Sequence, residues 1–248
     1  GETFEQTAVR ELDEEAGLSL LAPRVVATVS SLFVDEGRQS ITVFVEGDCP
    51  EGDATNREPD KCEGWGWYAW DQLPDPLFAS VIDLRATGYR PVTLHRDLGG
   101  GCLLREARAS DIQAVADLLC DDQLGATRES PERLAPYAQA FRGIHATPGN
   151  AVLVVESDAG IVATLQLTVI DNLSLMGARR AQVEGVRVRS DMRGLGLGER
   201  LFAAVDAIAR DAGCALVQLT SNSKRADALR FYEGLGFQAS HVGFKKPI

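Results

Sequence analysis

The sequence predicts a mixed α/β chain built from two modules, and three observations support that prediction. Runs rich in β-branched residues alternate with amphipathic helical segments along the 248 residues. Residues 1–100 carry 19 acidic and 8 basic side chains, whereas the remaining residues carry 17 of each. The aperiodic segment HRDLGGG, at 95–101, separates these two compositions. The predicted boundaries are therefore a first module at 1–94, a linker at 95–101 and a second module at 102–248.

Composition excludes several classes of function. Hydrophobic residues make up 45% and charged residues 25%, as in ordinary globular proteins. No apolar run approaches the ~20 residues that cross a bilayer, so we expect no membrane partner and a cytoplasmic location. The net charge of −11, without a basic face, argues against a nucleic-acid partner. The five scattered cysteines indicate reduced thiols. The sequence leaves open whether the chain forms a homodimer.

The first element is an acidic helix. Thr3 followed by Gln6 is a capping-box pattern, which predicts a helix from Phe4 to Gly17. Three carboxylates share one face of this helix at i, i+3 and i+4 spacing, namely Glu11, Glu14 and Glu15. Their mutual repulsion is relieved either by a hard divalent cation or by full solvation of the acidic face. Both interpretations remain open on the spacing alone.

The spacing from Glu2 through Arg10-Glu11-Leu12, Glu14-Glu15 and Gly17-Leu18 resembles the signature of the Nudix hydrolases. The resemblance implies part of an α/β/α sandwich, a nucleotide substrate and Mg²⁺ or Mn²⁺. It also implies that Glu11, Glu14 and Glu15 are the metal ligands and that Arg10 orients them. The signature's leading glycine and the strands before it are missing from this chain. We therefore expect this half to lack pyrophosphatase activity.

The rest of the first module fits the same resemblance. Two β-rich runs, RVVATVSSLFV and SITVFVEG, predict a hairpin around the turn DEGR. The segment CEGWGWYAWDQLP, at 62–74, predicts a strand with three tryptophans, and PLFASVIDLRATGY predicts a closing helix. The tryptophans are expected to pack in the core or at an edge.

The second module alternates strands and helices. The predicted strands are CLLREA, AVLVVES, GIVATLQLTVI, AQVEGVRV, ALVQLTS and FQASHVGFKK. The predicted helices are SDIQAVADLLC with a Ser110 or Asp111 cap, PERLAPYAQAFRGI entered through Pro131, the helix after the glycine loop, and RADALRFYEGLGF. AVLVVES and GIVATLQLTVI are expected to form a hairpin.

A glycine loop separates strand AQVEGVRV from the helix that follows. Gly194, Gly196 and Gly198 free the backbone to turn its N–H groups toward one point, and the helix N-terminus adds positive partial charge. The loop lacks the lysine of a Walker motif, and its Gly-x-Gly-x-Gly spacing differs from the Rossmann fingerprint. The residues alone leave open an anion site or a simple tight turn.

Arg193 to Gly198 matches the Arg/Gln-x-x-Gly-x-Gly/Ala loop of the GNAT superfamily of N-acetyltransferases. The run QLTSNSKRADALRFYEGLGFQASH resembles the branch that contains aminoalkylphosphonate acetyltransferases. The resemblance implies a GNAT acyl-CoA N-acyltransferase fold in which the loop holds the pyrophosphate of acetyl-CoA. The coenzyme-binding residues it implies are Val186, Val188, Arg193, Gly194, Leu195, Gly196, Leu197, Gly198 and Arg225.

Two further residues are candidates for the chemistry. By the same resemblance, Glu184 is the base that deprotonates the acceptor amine and Tyr232 is the acid that protonates the departing thiolate. The alternatives are that Glu184 is a surface charge and Tyr232 a packing residue.

The leading hypothesis is an N-acetyltransferase that acts on a small-molecule amine and is fused to an incomplete Nudix domain. One alternative is a metal-dependent Nudix nucleoside-triphosphate diphosphatase whose GNAT module binds acetyl-CoA as a regulator. Another is a non-catalytic protein with two degenerate pockets.

Overall fold

The computed structural model describes residues 1–33, 37–49, 53–122, 125–223 and 225–246. The chain divides into two compact units, Gly1–Thr93 and Leu94–Ile248. Each unit is described separately below.

The first unit opens with helix α1 (Phe4–Ala16), as the capping box predicts. The Gln6 N–H donates to Thr3 Oγ1 at 3.2 Å, and the Thr3 N–H donates to Gln6 Oε1 at 2.9 Å. The helix ends at Gly17, whose φ of 67° is left-handed and whose N–H donates to Asp13 O at 3.0 Å. Glycine suits this left-handed position, and a Cβ there would also displace the end of the Arg57 side chain, whose Nη2 would lie 2.9 Å away.

A two-stranded antiparallel sheet follows, formed by β1 (Leu21–Phe33) and β2 (Arg38–Asp48). This confirms the predicted hairpin, although part of its turn, at 34–36, lies outside the described residues. Helix α2 (Ala79–Ala86) contacts β1, and the Ser31 hydroxyl donates to the Asp83 carboxylate between them.

The predicted tryptophan strand is wrong, because the described residues 62–74 join no strand. Gly64 and Gly66 interrupt this segment, and glycine weakens a strand that has no partner to pair with. Trp65 and Trp67 are 43% and 64% exposed. Trp70 packs edge-on against Tyr89 at a centroid distance of 5.6 Å.

The second unit is built on a six-stranded sheet in the order β3-β4-β5-β6-β7-β8. Neighbouring strands are antiparallel from β3 to β7, and β7 and β8 are parallel. The strands are β3 (Arg96–Gly99), β4 (Cys102–Glu106), β5 (Asn150–Ser157), β6 (Gly160–Ile170), β7 (Arg180–Val188) and β8 (Leu216–Leu219).

Helices α3 and α4 contact strands β5 to β7, and helix α6 contacts β3, β7 and β8. Leucine, valine and isoleucine side chains fill the space between helices and sheet, including the fully buried Leu104, Leu153, Leu201 and Ile208. The helical elements are α3 (Ile112–Cys120), α4 (Leu134–His145), the short α5 (Ser174–Gly177) with left-handed angles at Leu175 and Met176, α6 (Leu197–Asp211) and α7 (Ala226–Gly234).

Segment 95–101, predicted to be a linker, instead contains β3 and the turn into β4. Gly99, Gly100 and Gly101 have φ values of 75°, 63° and 71°, so the glycines make a tight turn. Arg200 of α6 fixes the strand by donating to Leu98 O at 3.0 Å and to Gly99 O at 2.6 Å. The segment is therefore part of the second unit's sheet.

Three local expectations in the second unit also need correction. Helix α4 begins at Leu134 rather than at Pro131, and the described residues 237–246 contain no closing strand. Neither Ser110 nor Asp111 caps α3, because the Asp111 carboxylate accepts from Arg105 Nη1 and from the Arg108 N–H, each at 2.7 Å. The competing buried arginine explains why Asp111 does not act as the helix cap.

Candidate functional site

Strands β7 and β8 separate at one end of the second unit. Their parallel pairing runs from Arg180↔Leu216 to Val183↔Leu219, where β8 ends, whereas β7 continues to Val188. Within the described residues, the β7 edge beyond Val183 therefore has no partner strand on its β8 side. This leaves an opening in the sheet whose wall is a strand edge.

A β-bulge marks the point of separation. Glu184 faces Gln166 on β6 and Arg187 faces Thr164, so two β7 residues oppose Leu165 alone. Gly185, in the bulge, has a φ of 62°. A bulge bends its strand and increases its twist, and this bulge follows directly after the last residue of β7 that pairs with β8.

The glycine loop lies between β7 and α6. Gly194 and Gly196 have φ values of 73° and 75°, and Gly196 is the N-cap of the 15-residue α6. Glycine has no side chain to cap the helix, and the first intrahelical bond is donated by the Arg200 N–H to Gly196 O at 3.2 Å. The N–H groups of Leu197, Gly198 and Glu199 are thus first-turn donors, so the loop can bind an anion.

The loop is closely packed on one side and open on the other. A Cβ at Gly198 would lie 2.8 Å from the Phe231 ring, so glycine allows α6 to approach α7 closely. A Cβ at Gly194 or Gly196 would meet nothing within 4 Å. Leu197 is buried and Leu195 is 63% exposed.

Arg193 holds the loop in place with its side chain. Its Nη2 donates to Asp121 O at 2.6 Å and to Asp121 Oδ2 at 2.9 Å, and its Nε donates to Val188 O at 2.8 Å. The Ser190 N–H also donates to Asp121 Oδ2, at 2.7 Å. The C-terminal end of α3 therefore fixes the shape of the glycine loop. At Val186 the carbonyl is likewise occupied, since it accepts from Arg187 Nη1 at 2.8 Å.

Tyr232, on α7, is part of an aromatic cluster. Its ring packs edge-on against Phe202, Phe231 and Phe237 at centroid distances of 5.6, 5.4 and 5.9 Å. Burial raises the pKa of Tyr232, while the charges of Arg187 and Arg225 act in the opposite direction without reversing the shift. Its hydroxyl is consequently protonated at neutral pH and can donate a proton.

Arg225 pairs with a carboxylate that the sequence analysis did not single out. The Arg225 Nη2 donates to Asp122 Oδ2, and Arg187 Nε lies 3.1 Å from the same oxygen. Burial alone would raise the pKa of Asp122, but the Gly125 N–H and the two guanidinium groups outweigh it and lower that pKa. The sequence does contain a signal that could have identified Arg187, because an arginine stands between two valines in the predicted strand AQVEGVRV.

Glu184 is exposed on β7, directly opposite Gln166. It lies immediately before the bulge, at the start of the β7 edge that β8 leaves unpaired. Glu184 therefore lies at the opening beside β8, on the strand that leads into the glycine loop.

The acidic face of α1 carries the three carboxylates predicted as metal ligands, together with Arg10. Arg10 contacts Glu2, Glu11 and Glu14 at 3.2, 2.7 and 2.8 Å, so a guanidinium already lies among these carboxylates. In the parts of the chain that the structure describes, no group of three or more His, Cys, Asp or Glu side chains is arranged to hold a metal. The Arg10 contacts to Glu11 and Glu14 are those expected of a residue that orients these carboxylates, and the assignment of Glu11, Glu14 and Glu15 as metal ligands stays a prediction.

Family models match both halves of the chain. The acetyltransferase (GNAT) family matches residues 112–237, just over half of the 248 residues, and the NUDIX domain matches residues 1–86. Among the described helices, none has the length and apolar character that crossing a membrane requires.

Individual relatives match part of the chain. The solved structure of a transcriptional regulator from Bacillus halodurans C-125 is 41% identical, with a TM-score of 0.55, and the match covers 58% of this chain and 98% of that one. Aminoalkylphosphonate N-acetyltransferase of Salmonella typhimurium is 39% identical over 67 residues, which is 27% of this chain and 44% of the relative. N-acetyltransferase 8B of Homo sapiens is 29% identical over 96 residues, which is 39% of this chain and 42% of the relative.

The chain spans less than half the length of these two curated relatives. The GNAT match nevertheless includes the bulged strand, the glycine loop and the helix that carries Tyr232. The chain therefore belongs to the acetyltransferase (GNAT) family, and the segment ahead of that match is similar to the NUDIX domain.

Proposed function

We propose that the second unit transfers an acetyl group from acetyl-CoA to a primary amine of a small molecule. The observation that carries this proposal is the uncapped first turn of α6 at the end of the glycine loop, beside the opening between β7 and β8. Membership of the GNAT family implies acetyl-CoA as the donor. The first-turn N–H groups suit its pyrophosphate, and the free β7 edge suits the extended arm that ends in the thioester.

The chemistry needs three proton transfers. Glu184 takes a proton from the acceptor ammonium, directly or through water, and the amine nitrogen then attacks the thioester carbonyl carbon. The carbon–sulfur bond breaks, and the departing thiolate takes the proton of the Tyr232 hydroxyl. The second proton of the attacking nitrogen then passes to the Tyr232 oxygen, directly or through water, which leaves a neutral amide and restores the hydroxyl. Backbone N–H groups at the opening stabilise the negative charge that develops on the thioester oxygen.

The first unit carries no step of this reaction. Domains of the NUDIX kind imply nucleotide substrates and divalent metals, and Glu11, Glu14 and Glu15 would hold such a metal, with Arg10 orienting Glu11 and Glu14.

A thiol-release assay tests the proposal. The complete chain is incubated with acetyl-CoA and a panel of small primary amines, and free coenzyme A is measured together with the acetylated product. We expect release that depends on the amine. Tight acetyl-CoA binding without release for any amine would instead favour a regulatory or purely binding role for this unit.

The glycine loop can be tested by Gly196→Ala. A left-handed backbone costs a residue with a Cβ about 1–2 kcal/mol, so the loop is expected to rearrange and the Kd for acetyl-CoA to rise about 10-fold. Isothermal titration calorimetry measures the affinity. Gly213→Ala is the matched control, because Gly213 has a φ of 72° just beyond the other end of α6 and open space around its Cβ. An equal loss of affinity in both variants would contradict a role for the loop.

Glu184→Gln tests the proposed base. We expect kcat to fall about 10²-fold while the Kd for acetyl-CoA stays unchanged, because only proton removal from the amine is lost. Steady-state kinetics and calorimetry separate these two effects. Glu63→Gln, an exposed change in the first unit, is expected to leave both unchanged. A parent-like kcat in Glu184→Gln would remove Glu184 from the mechanism.

A further inference from the structure

The β7 bulge brings two side chains of opposite charge to one face of the sheet. In a regular strand, residues three positions apart point to opposite faces. Here Glu184 faces Gln166 and Arg187 faces Thr164, and these two β6 residues are two apart and share a face. Glu184 and Arg187 therefore project from the same face, in neighbouring rows about 6–7 Å apart along the strand.

Arg187 is a buried cation whose hydrogen bonding is incomplete. It is 7% exposed, and its Nη1 donates to Val186 O. In the described part of the protein its buried Nε has no aligned hydrogen-bond acceptor, although Asp122 Oδ2 lies 3.1 Å away. Burial lowers the pKa of Arg187, the direction expected of a cation that has lost water. A buried charge of this kind is stabilised only when it is paired and hydrogen-bonded.

The charges around Arg187 do not balance. Arg225 and Arg187 share the carboxylate of Asp122, which also accepts from the Gly125 N–H at 2.6 Å. The nearby Arg128 and Glu129 pair with each other at 3.5 Å. Among the residues that the structure describes here, two guanidinium groups thus face the Asp122 carboxylate, an excess of one positive charge in the cluster.

An anionic group on the acceptor would complete this cluster. Guanidinium groups bind carboxylates and phosphonates through paired N–H donors, and two arginines make a strong site for either. Arg187 lies on the strand that carries Glu184, and Arg225 is the N-cap of the helix that carries Tyr232, so the cluster joins the two elements that hold the proposed catalytic residues. An acid group held there would leave an amine a few bonds away free to reach Glu184.

We propose that Arg187 and Arg225 bind the acid group of an acceptor whose amine lies at Glu184, so that the substrate is a zwitterionic amine. The class includes amino acids and aminophosphonates, which share an ammonium group a few bonds from an acid group. This inference rests on the proposed acetyl transfer and narrows its acceptor.

The first experiment compares matched amines on the complete chain. The probes are 2-aminoethylphosphonate, β-alanine and propylamine, which present a phosphonate, a carboxylate and no acid group on similar short chains. We expect kcat/KM for at least one acid-bearing amine to exceed that for propylamine about 10- to 100-fold, the usual worth of charge-assisted hydrogen bonds. The phosphonate and carboxylate arms show which acid the site prefers.

The second experiment removes each cation. Arg225→Gln and Arg187→Met are expected to raise KM for the preferred acid-bearing amine about 10- to 100-fold, a larger factor than any change in KM for acetyl-CoA or in kcat/KM for propylamine. Arg230→Gln, which removes an exposed arginine of the same α7 helix, is expected to change none of these values. Arg225 lies at the surface end of the cluster, so Arg225→Gln preserves the test if Arg187→Met does not fold.

The outcomes separate this inference from the proposed function. Turnover of propylamine as efficient as that of both acid-bearing amines would overturn the inference and leave acetyl transfer standing. So would an equal rise in KM for acetyl-CoA in the two arginine variants, because the arginines would then serve the coenzyme. Absence of turnover with every amine would remove both proposals together.

Discussion

Replacing Tyr232 by phenylalanine is expected to lower kcat about 10²- to 10⁴-fold, the range in which positioned acids contribute to catalysis. The change removes only the hydroxyl, and the ring keeps its contacts with Phe202, Phe231 and Phe237. The Kd for acetyl-CoA and the thermal stability should therefore stay close to those of the parent. Single-turnover kinetics with a saturating amine measures the chemical step.

The pH dependence provides a second test of Tyr232. Because burial raises the pKa of this hydroxyl above its ordinary value of about 10, the acid form persists through neutral and mildly alkaline pH. Deprotonation of Tyr232 should therefore cause no loss of rate in the parent between pH 7 and pH 9. The pH profiles of the parent and of Tyr232→Phe should have the same shape over this range. Tyr68→Phe, an exposed change in the first unit, is the matched control. A parent-like kcat in Tyr232→Phe would assign the thiolate's proton to another donor.

Asp111→Ala is expected to destabilise the second unit by about 3–5 kcal/mol, because it leaves a buried guanidinium without its main partner. Arg105 and Asp111 are 6% and 9% exposed and are joined by two hydrogen bonds of 2.7 and 3.2 Å. Glu156 would remain at 2.6 Å from Arg105 Nε and the Glu106 carbonyl at 3.0 Å from Nη1, but the Glu156 side chain is 43% exposed and the buried side of the guanidinium would lose its carboxylate.

The distribution of tryptophans makes this measurement specific to one unit. All three tryptophans, at 65, 67 and 70, lie in the first unit, so tryptophan fluorescence reports its unfolding alone. Hydrogen exchange of the β4 and β5 amides reports the second unit. We expect faster exchange in Asp111→Ala with an unchanged fluorescence transition, and Asp158→Ala, in an exposed turn, should change neither. Unchanged exchange in Asp111→Ala would show that the pair contributes little.

Acid titration tests the contribution of the Asp111–Arg105 pair to stability as the pH falls. Burial alone would raise the pKa of Asp111, but Arg105 and the Arg108 N–H outweigh it and lower that pKa. The carboxylate's contribution is therefore complete above the unfolded-state pKa of about 3.9 and is lost as the pH falls toward the lower folded value. Asp111→Asn should remove this part of the acid-induced loss of stability.

The sequence correctly predicted those structural elements that are determined by residues close together in the chain. The capping box at Thr3 and Gln6, the left-handed Gly17 and the hairpin of β5 and β6 involve residues only a few positions apart. The glycine loop was identified because its chemistry, backbone donors at a helix start, is written in consecutive residues.

The remaining features depend on partners far away in the chain. β3 looked like a linker because its anchor, Arg200, is about 100 residues further on. The Arg187, Asp122 and Arg225 cluster joins three segments, and the bulge that aims Arg187 appears only in the register of β6 against β7. The aromatic segment 62–74 has strand-forming residues, yet no described strand pairs with it.

Asp121 and Asp122 are consecutive residues with different tasks. Asp121 secures the glycine loop through Arg193 and Ser190, whereas Asp122 holds Arg187 and Arg225. The loop proposed to bind acetyl-CoA and the arginines proposed to bind the acceptor are thus held by consecutive residues just past the end of α3. For protein engineering, loop exchanges intended to retune specificity should begin downstream of this junction, since a one-residue insertion ahead of it would shift both halves at once.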